Sequence, residues 1–258
     1  MTIDIAPGVF GSVLLTWTGL FTVIGTVVGI TMMARWASAL SMGRRDAFTL
    51  GLRVTLWSLA GARLLHVIEF ADFYAQVPFQ ALYLWQGGFA LWGALIGGTA
   101  GALWHAHRRG LALGPFADRL ALTGLAAMAF ARIGDLLSGT RPGTPTSLPW
   151  GIEYVHQDAA AYVGGVAVHP VAAYELLLGV ALLAALVWLV GLAGKRRLHP
   201  DGVALMVAFA GYAAGRFVIS FAREAPSALG LQQAQWVGLG VIIAAGYYAW
   251  RVRPTFRP

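Results

Sequence analysis

The chain of 258 residues has no cysteine, is 58% hydrophobic and only 11% charged, against roughly 25% charged in soluble domains, so it reads as an integral membrane protein. Without cysteine it has no disulfide, no thiolate metal site and no thiol nucleophile of its own, and any thiol in its chemistry belongs to a substrate. The net charge of +7 does not point to nucleic acid, because no basic face interleaved with aromatics and no nucleic-acid motif accompanies it.

Seven apolar segments follow one another: Gly11 to Met33, Phe48 to Ile68, Phe89 to Trp104, Phe116 to Leu137, Pro170 to Leu192, Val203 to Phe221 and Ala234 to Trp250. Most approach the ~20 residues that cross a bilayer as helix, and the short third segment is expected to begin earlier, near Leu82. Basic residues alternate between the connections. Arg35, Arg44 and Arg45 follow the first segment, Arg108 and Arg109 the third, Lys195, Arg196 and Arg197 the fifth, and Arg251, Arg253 and Arg257 the seventh. The opposite connections carry only Arg141 and Arg223. By the positive-inside rule this predicts an all-α membrane protein of seven transmembrane helices, N-terminus outside and C-terminus cytoplasmic. Met1 to Phe10 lacks the basic start of a cleavable signal, so the first helix is expected to be retained. The long connection from Ser138 to Val168, rich in Gly, Pro and Thr, is expected to form a small outer head or lid. No repeat or linker divides the chain, and residues 1–258 read as a single membrane domain.

Small residues at four-residue spacing, Gly25 and Gly29, Gly93, Gly97 and Gly101, and Gly211 and Gly215, predict close helix packing in lipid. Gly87 and Gly88 precede the third segment. They either let a lipid headgroup approach the backbone or break a short interfacial helix. Charges inside the apolar segments are the sharper signal, since insertion scales set an ionised side chain at mid-membrane about 2.5 to 3.5 kcal/mol uphill. Arg53 and Arg119, near inner ends, read as anchors. Arg63, three residues before His66 on one helical face, is open between an internal ion pair and a site. Arg132 can pair with Asp135 at i,i+3, and Arg216 has no local carboxylate. Two guanidiniums directed into one cavity form a fork for a phosphate, most readily that of a phospholipid headgroup. Glu175, beside Tyr174, is expected to anchor one of the buried arginines, with orientation of a substrate group as the alternative.

The stretch Ala131-Arg132-Ile133-Gly134-Asp135-Leu136-Leu137-Ser138-Gly139-Thr140 resembles the G-R-x-G-N-F-x-N-G-E signature of prolipoprotein diacylglyceryl transferases. Pro145 to Gly151 is similar to that family's P-T-x-L-P-W-G turn, His169 to Glu175 to its H-P-x-Q-x-Y-E, and Arg216 to Arg223 to its R-x-x-x-E-F-x-R. Gln86 to Gly97 resembles its D-G-G-x-S-x-H-G-G-L-I-G. The resemblance implies transfer of a diacylglyceryl group from phosphatidylglycerol to the lipobox cysteine of a prolipoprotein, with release of glycerol phosphate, in the bacterial inner membrane. It implies Arg132 and Arg216 as the catalytic pair, binding the phosphate and stabilising it as it departs. Arg63, Gly87, Gly88, Asp135, Gly139, Tyr174, Glu175, Tyr212 and Arg223 are expected to bind the lipid headgroup or to support those that do. No cofactor, metal or nucleic acid is expected. The chain departs from the family's pattern at Trp92 for His, Asp135 for Asn, Thr140 for Glu, Ser220 for Glu and Thr18 for Tyr. Trp92 cannot take a proton, so Asp135, His66 and His169 become the chemical candidates for activating the thiol. The departures also leave open a noncatalytic membrane-complex subunit or phospholipid-binding protein that kept the fold.

Overall fold

A computed structural model describes residues 1–8, 16–36, 42–84, 87–141, 143–190, 202–224 and 227–252. Gly11, where the first apolar segment was expected to begin, lies outside the described residues, as do Gln86, Leu192, Lys195, Arg196, Arg197, Arg253 and Arg257. The long helices are α1 (Trp17–Arg35), α2 (Arg44–Glu69), α4 (Leu91–Arg108), α5 (Leu113–Ser138), α6 (Val171–Val190), α7 (Val203–Ile219) and α8 (Gln233–Val252), with a short α3 (Ala71–Gln76) after α2. Among the described residues strands are confined to two-residue pieces: β1 (Thr2–Ile3), β2 (Glu153–Tyr154), β3 (Ser227–Ala228) and β4 (Leu231–Gln232). Among the described residues four helices are long and apolar enough to cross a membrane: Trp17–Arg35, Leu113–Ser138, Val171–Trp188 and Val203–Ala222. Large apolar side chains stand exposed on several helices, Leu177 and Trp188 on α6, Val218 on α7 and Ile243 on α8. Such surface is stable against lipid tails and not against water.

The third apolar segment differs from its expected course. Leu82 ends a short 3-10 turn (Pro78–Leu82), and α4 begins only at Leu91. Gly87 and Gly88 between them have φ of 78° and 76°, a region open to glycine and closed to most side chains, so no continuous helix can run through.

The chain forms two compact units, Gly29–Leu120 and Met1–Val28 with Ala121–Pro258. In the first, α2 and α4 pack through their glycines. A Cβ on Gly61 would collide with the Gly93 carbonyl and come within 3.0 Å of the Gly97 Cα, so the backbones touch where side chains are absent. Met33, Leu50, Ala102, Ala106 and Phe116 form an apolar core in this unit.

In the second unit α6, α7 and α8 follow one another, with Gly211 under Leu182 and Gly215 under Leu178. Gly134 lets α5 approach α1, since a Cβ there would stand 2.8 Å from the Thr18 Cα. The segment after α5 is folded: β1 pairs in parallel with β2, Thr2 opposite Glu153 and Ile3 opposite Tyr154. Bridges join Pro145 and Ile152 to Val168. Beneath them Ile152, Tyr154, Ala159, Ala161 and Val168 bury a small core.

Candidate functional site

One carboxylate organises the centre of the second unit. Glu175, in the first turns of α6, is fully buried and receives guanidiniums from two other helices: Arg132 of α5, whose Nε lies 2.6 Å from Oε2, and Arg216 of α7, paired with Oε1. Neither oxygen makes an aligned hydrogen bond, so these contacts are ion pairs. Arg132 also pairs through Nη1 with Asp135, one turn further along α5, and its Nη2 reaches the Tyr212 hydroxyl at 3.4 Å. The i,i+3 pair foreseen on α5 therefore forms. Arg216, which has no carboxylate near it in sequence, finds one on the neighbouring helix.

Asp135 is as heavily used as Glu175. Besides Arg132 it accepts the Nε of Arg141 at 2.6 Å and the Thr140 hydroxyl at 3.2 Å. Arg141 Nε lies 4.0 Å from Glu175 Oε2. The chain beyond Arg141 is tied to the end of α7, because Gly143 bridges Arg223 and the Thr144 N–H donates to the Ala222 carbonyl at 3.0 Å. The Arg141 guanidinium is less basic than usual because it is largely withdrawn from water and close to Arg132, with Asp135 acting in the opposite sense. Arg223 is shifted in the same direction by burial, Arg141 and Arg132. Four guanidiniums and two carboxylates thus share one interior region, a net charge of +2. Charges taken out of water are tolerated when each is paired, and a surplus of this sign produces a local positive field that attracts anions.

Four of the five departures from the family's pattern, Thr18, Asp135, Thr140 and Ser220, lie in or beside this cluster. Thr18 of α1 contacts the Ser138 hydroxyl at 3.2 Å and the Thr140 hydroxyl at 3.4 Å, and Thr140 leads on to Asp135. Ser220 is turned inward on its own helix and donates to the Arg216 carbonyl at 2.8 Å. Gly139, with φ of 60°, lies against the Tyr154 ring, while its carbonyl accepts the Ala161 N–H at 2.8 Å. It therefore anchors the folded segment. Burial and, second, the Asp135 carboxylate push the Tyr154 phenol up to about 12. Tyr174 faces a different set. Its oxygen accepts from Trp150 Nε1 at 2.8 Å, which leaves its own hydrogen free for His169 Nδ1 at 3.2 Å, since an indole N–H can only donate.

Arg63, Gly87 and Gly88 belong to the other unit and serve one another. The buried Arg63 donates to five main-chain carbonyls: Nε to Ala81 at 2.8 Å, Nη1 to Gly87 at 2.6 Å and Gly88 at 3.1 Å, Nη2 to Gln80 at 2.5 Å and Tyr83 at 3.4 Å. Of the two readings open for Arg63, an internal ion pair or a site, no carboxylate partner is found among the described residues, and the side chain clamps the connection between α3 and α4. The glycine pair likewise turns carbonyls toward Arg63. His66 packs against Phe70 and lies where a Gly88 side chain would stand. Trp92 is buried, 4% exposed. Arg141 is the member of the arginine cluster whose role sequence reasoning did not see. It stands past the end of α5, where helical spacing no longer relates it to Asp135.

A helical membrane protein with a buried, net-positive arginine and carboxylate cluster is the class that fold and site define. The family model described as prolipoprotein diacylglyceryl transferase matches residues 6–251, and the chain belongs to that family. It is 35% identical over 202 residues to phosphatidylglycerol-prolipoprotein diacylglyceryl transferase 2 of Streptomyces coelicolor, a match covering 74% of this chain and 62% of the relative. To the phosphatidylglycerol-prolipoprotein diacylglyceryl transferase of Bordetella parapertussis it is 30% identical, over 96% of this chain and 95% of the relative. A Synechococcus elongatus protein of the same name is 30% identical, over 92% and 82% respectively.

Proposed function

We propose that this chain transfers a diacylglyceryl group from phosphatidylglycerol to the cysteine thiol of a prolipoprotein, as a multi-pass protein of the bacterial inner membrane. We read seven crossings, with the N-terminus outside and the C-terminus cytoplasmic, so that the folded segment after α5 and the arginine cluster lie toward the outer side. In the reaction the substrate sulfur forms a bond to a glycerol carbon while that carbon's bond to the phosphate oxygen breaks. The thiol gives up its proton to become the attacking thiolate, and the glycerol phosphate that leaves with the electron pair of the broken bond can carry that proton away, so atoms and charge balance. Arg132 and Arg216 hold the phosphate and meet the charge that grows on it. Asp135 and Glu175 keep the two guanidiniums aimed, and Tyr212 supports Arg132.

The observation that carries this reading is the convergence of Arg132 and Arg216 on Glu175 within a cluster of net positive charge. The names of the relatives supply the substrate class. The test is to give the purified protein phosphatidylglycerol and a lipobox peptide and to measure thioether product. Product is expected, and Arg132→Ala and Arg216→Ala each remove it while helicity is kept. No product above a no-protein control, with a homologous transferase active in parallel, would overturn the reading and return the chain to lipid binding without reaction.

A further inference from the structure

In the reading above Arg132 and Arg216 hold the phosphate, yet both already have carboxylate partners. Arg132 lies between Asp135 and Glu175, and Arg216 is paired with Glu175. Their side chains are 3% and 5% exposed, whereas that of Arg141 is 20% exposed. Arg141 is also held differently. Only its Nε is taken, by Asp135 at 2.6 Å, and among the described residues its two terminal nitrogens have no hydrogen-bond acceptor.

A guanidinium offers its donors in a rigid planar fork. When a carboxylate takes Nε, the edge formed by the two terminal NH2 groups remains, and that edge matches two oxygens of a phosphate. Arg141 is no loose surface side chain: Thr140 orients the carboxylate that grips it, and the bridge from Gly143 to Arg223 fixes the chain just beyond it. We propose that Arg141 is a third phosphate-binding arginine, the specificity-determining cation that first meets the anionic glycerophospholipid headgroup, and that Asp135 is its positioning residue. This inference rests on the transferase reading for its substrate.

The experiment compares the full-length wild type with Arg141→Gln, Arg141→Lys and Asp135→Asn in two arms. The first measures retention of phosphatidylglycerol over phosphatidylethanolamine by the purified protein, with inorganic phosphate as competitor. The second measures transfer to a lipobox peptide. For Arg141→Gln the expected result is a rise in the phosphatidylglycerol KM of about tenfold, the order of one charge-assisted contact, with a smaller fall in kcat and a lost headgroup preference. Arg141→Lys recovers part of it, and Asp135→Asn shifts preference in the same direction. A wild-type KM and preference in Arg141→Gln would overturn the proposal, as would equal losses of kcat and KM effect with a lowered Tm, the pattern of a purely structural residue. If Arg141→Gln weakens phosphate competition and leaves lipid retention intact, the lipid assignment is overturned. If the wild type makes no product but keeps a headgroup preference that Arg141→Gln abolishes, the transferase reading fails and the Arg141 inference stands.

Discussion

Replacing Glu175 by Gln tests the centre of the site, because one buried carboxylate there joins three helices. The amide keeps the volume of the side chain and removes its charge. Arg132 Nε, 2.6 Å away, and Arg216 lose their shared counter-ion, and the net charge of the cluster rises from +2 to +3. Breaking a buried ion pair from one side costs about 3 to 5 kcal/mol, mostly through the charge left without a partner. For a chain of this size 1 kcal/mol moves Tm by roughly 2 to 4 °C, so a fall of roughly 6 to 20 °C is expected on thermal unfolding in detergent. Added phosphatidylglycerol should recover more of the Tm in Glu175→Gln than in the wild type, because an anion that binds only the folded state stabilises it by mass action, and the variant has the larger positive surplus. Glu175→Asp, which keeps the charge on a shorter arm, should fall between the two. A Tm within 2 °C of wild type, with transfer activity retained, would refute the reasoning, since Glu175 would then carry neither fold nor site.

Arg63→Gln should loosen the connection between α3 and α4. Five carbonyls lose their shared donor, and hydrogen exchange of residues 78–84 and 87–90 should speed up while the interior of α2 and α4 stays protected; unchanged exchange there would show that the clamp is not needed. Tyr154 predicts an alkaline limit for the folded segment after α5. Its phenol is pushed up to about 12, above an ordinary value near 10, so the folded state holds the proton longer. The resulting stability is fully present below about pH 10 and is lost as pH rises toward 12, a change of roughly 2 to 3 kcal/mol. Tyr154→Phe should flatten that loss in denaturant titrations from pH 9 to 12, and an equally steep loss in the variant would assign it to another group.

The helices were legible because apolar runs and glycine spacing are local. Gly61 meeting Gly93 and Gly97, and Gly134 meeting α1, are contacts that small-residue patterns anticipate in kind. Arg132 with Asp135 was legible for the same reason, since three residues on a helix is a contact. Glu175 was expected to hold one arginine and holds two. The pairing of Arg216 with Glu175 depends on how α6 and α7 lie against each other, which no spacing along the chain encodes. Arg63 misled in another way. A buried arginine suggests an anion, but carbonyl dipoles can satisfy all the faces of a guanidinium, and the positive φ of Gly87 and Gly88 is what lets the backbone turn them inward.

Asp135 shows how a substitution can read one way in sequence and another in space. An acidic residue one turn from Arg132 weakens, on its own, the hold of that arginine on an anionic headgroup. In the structure the same carboxylate oxygen also binds Arg141, so the added negative charge is offset by a guanidinium brought to the site, and the surplus stays positive. Thr140 and Thr18 extend the change outward as a chain of hydroxyls, neutral groups that can orient Asp135 without adding charge. The departures from the family's pattern that surround Arg132 are thus coupled to one another, and their sum leaves the property a phosphate site requires: more buried cations than anions, with one cation still able to accept a ligand.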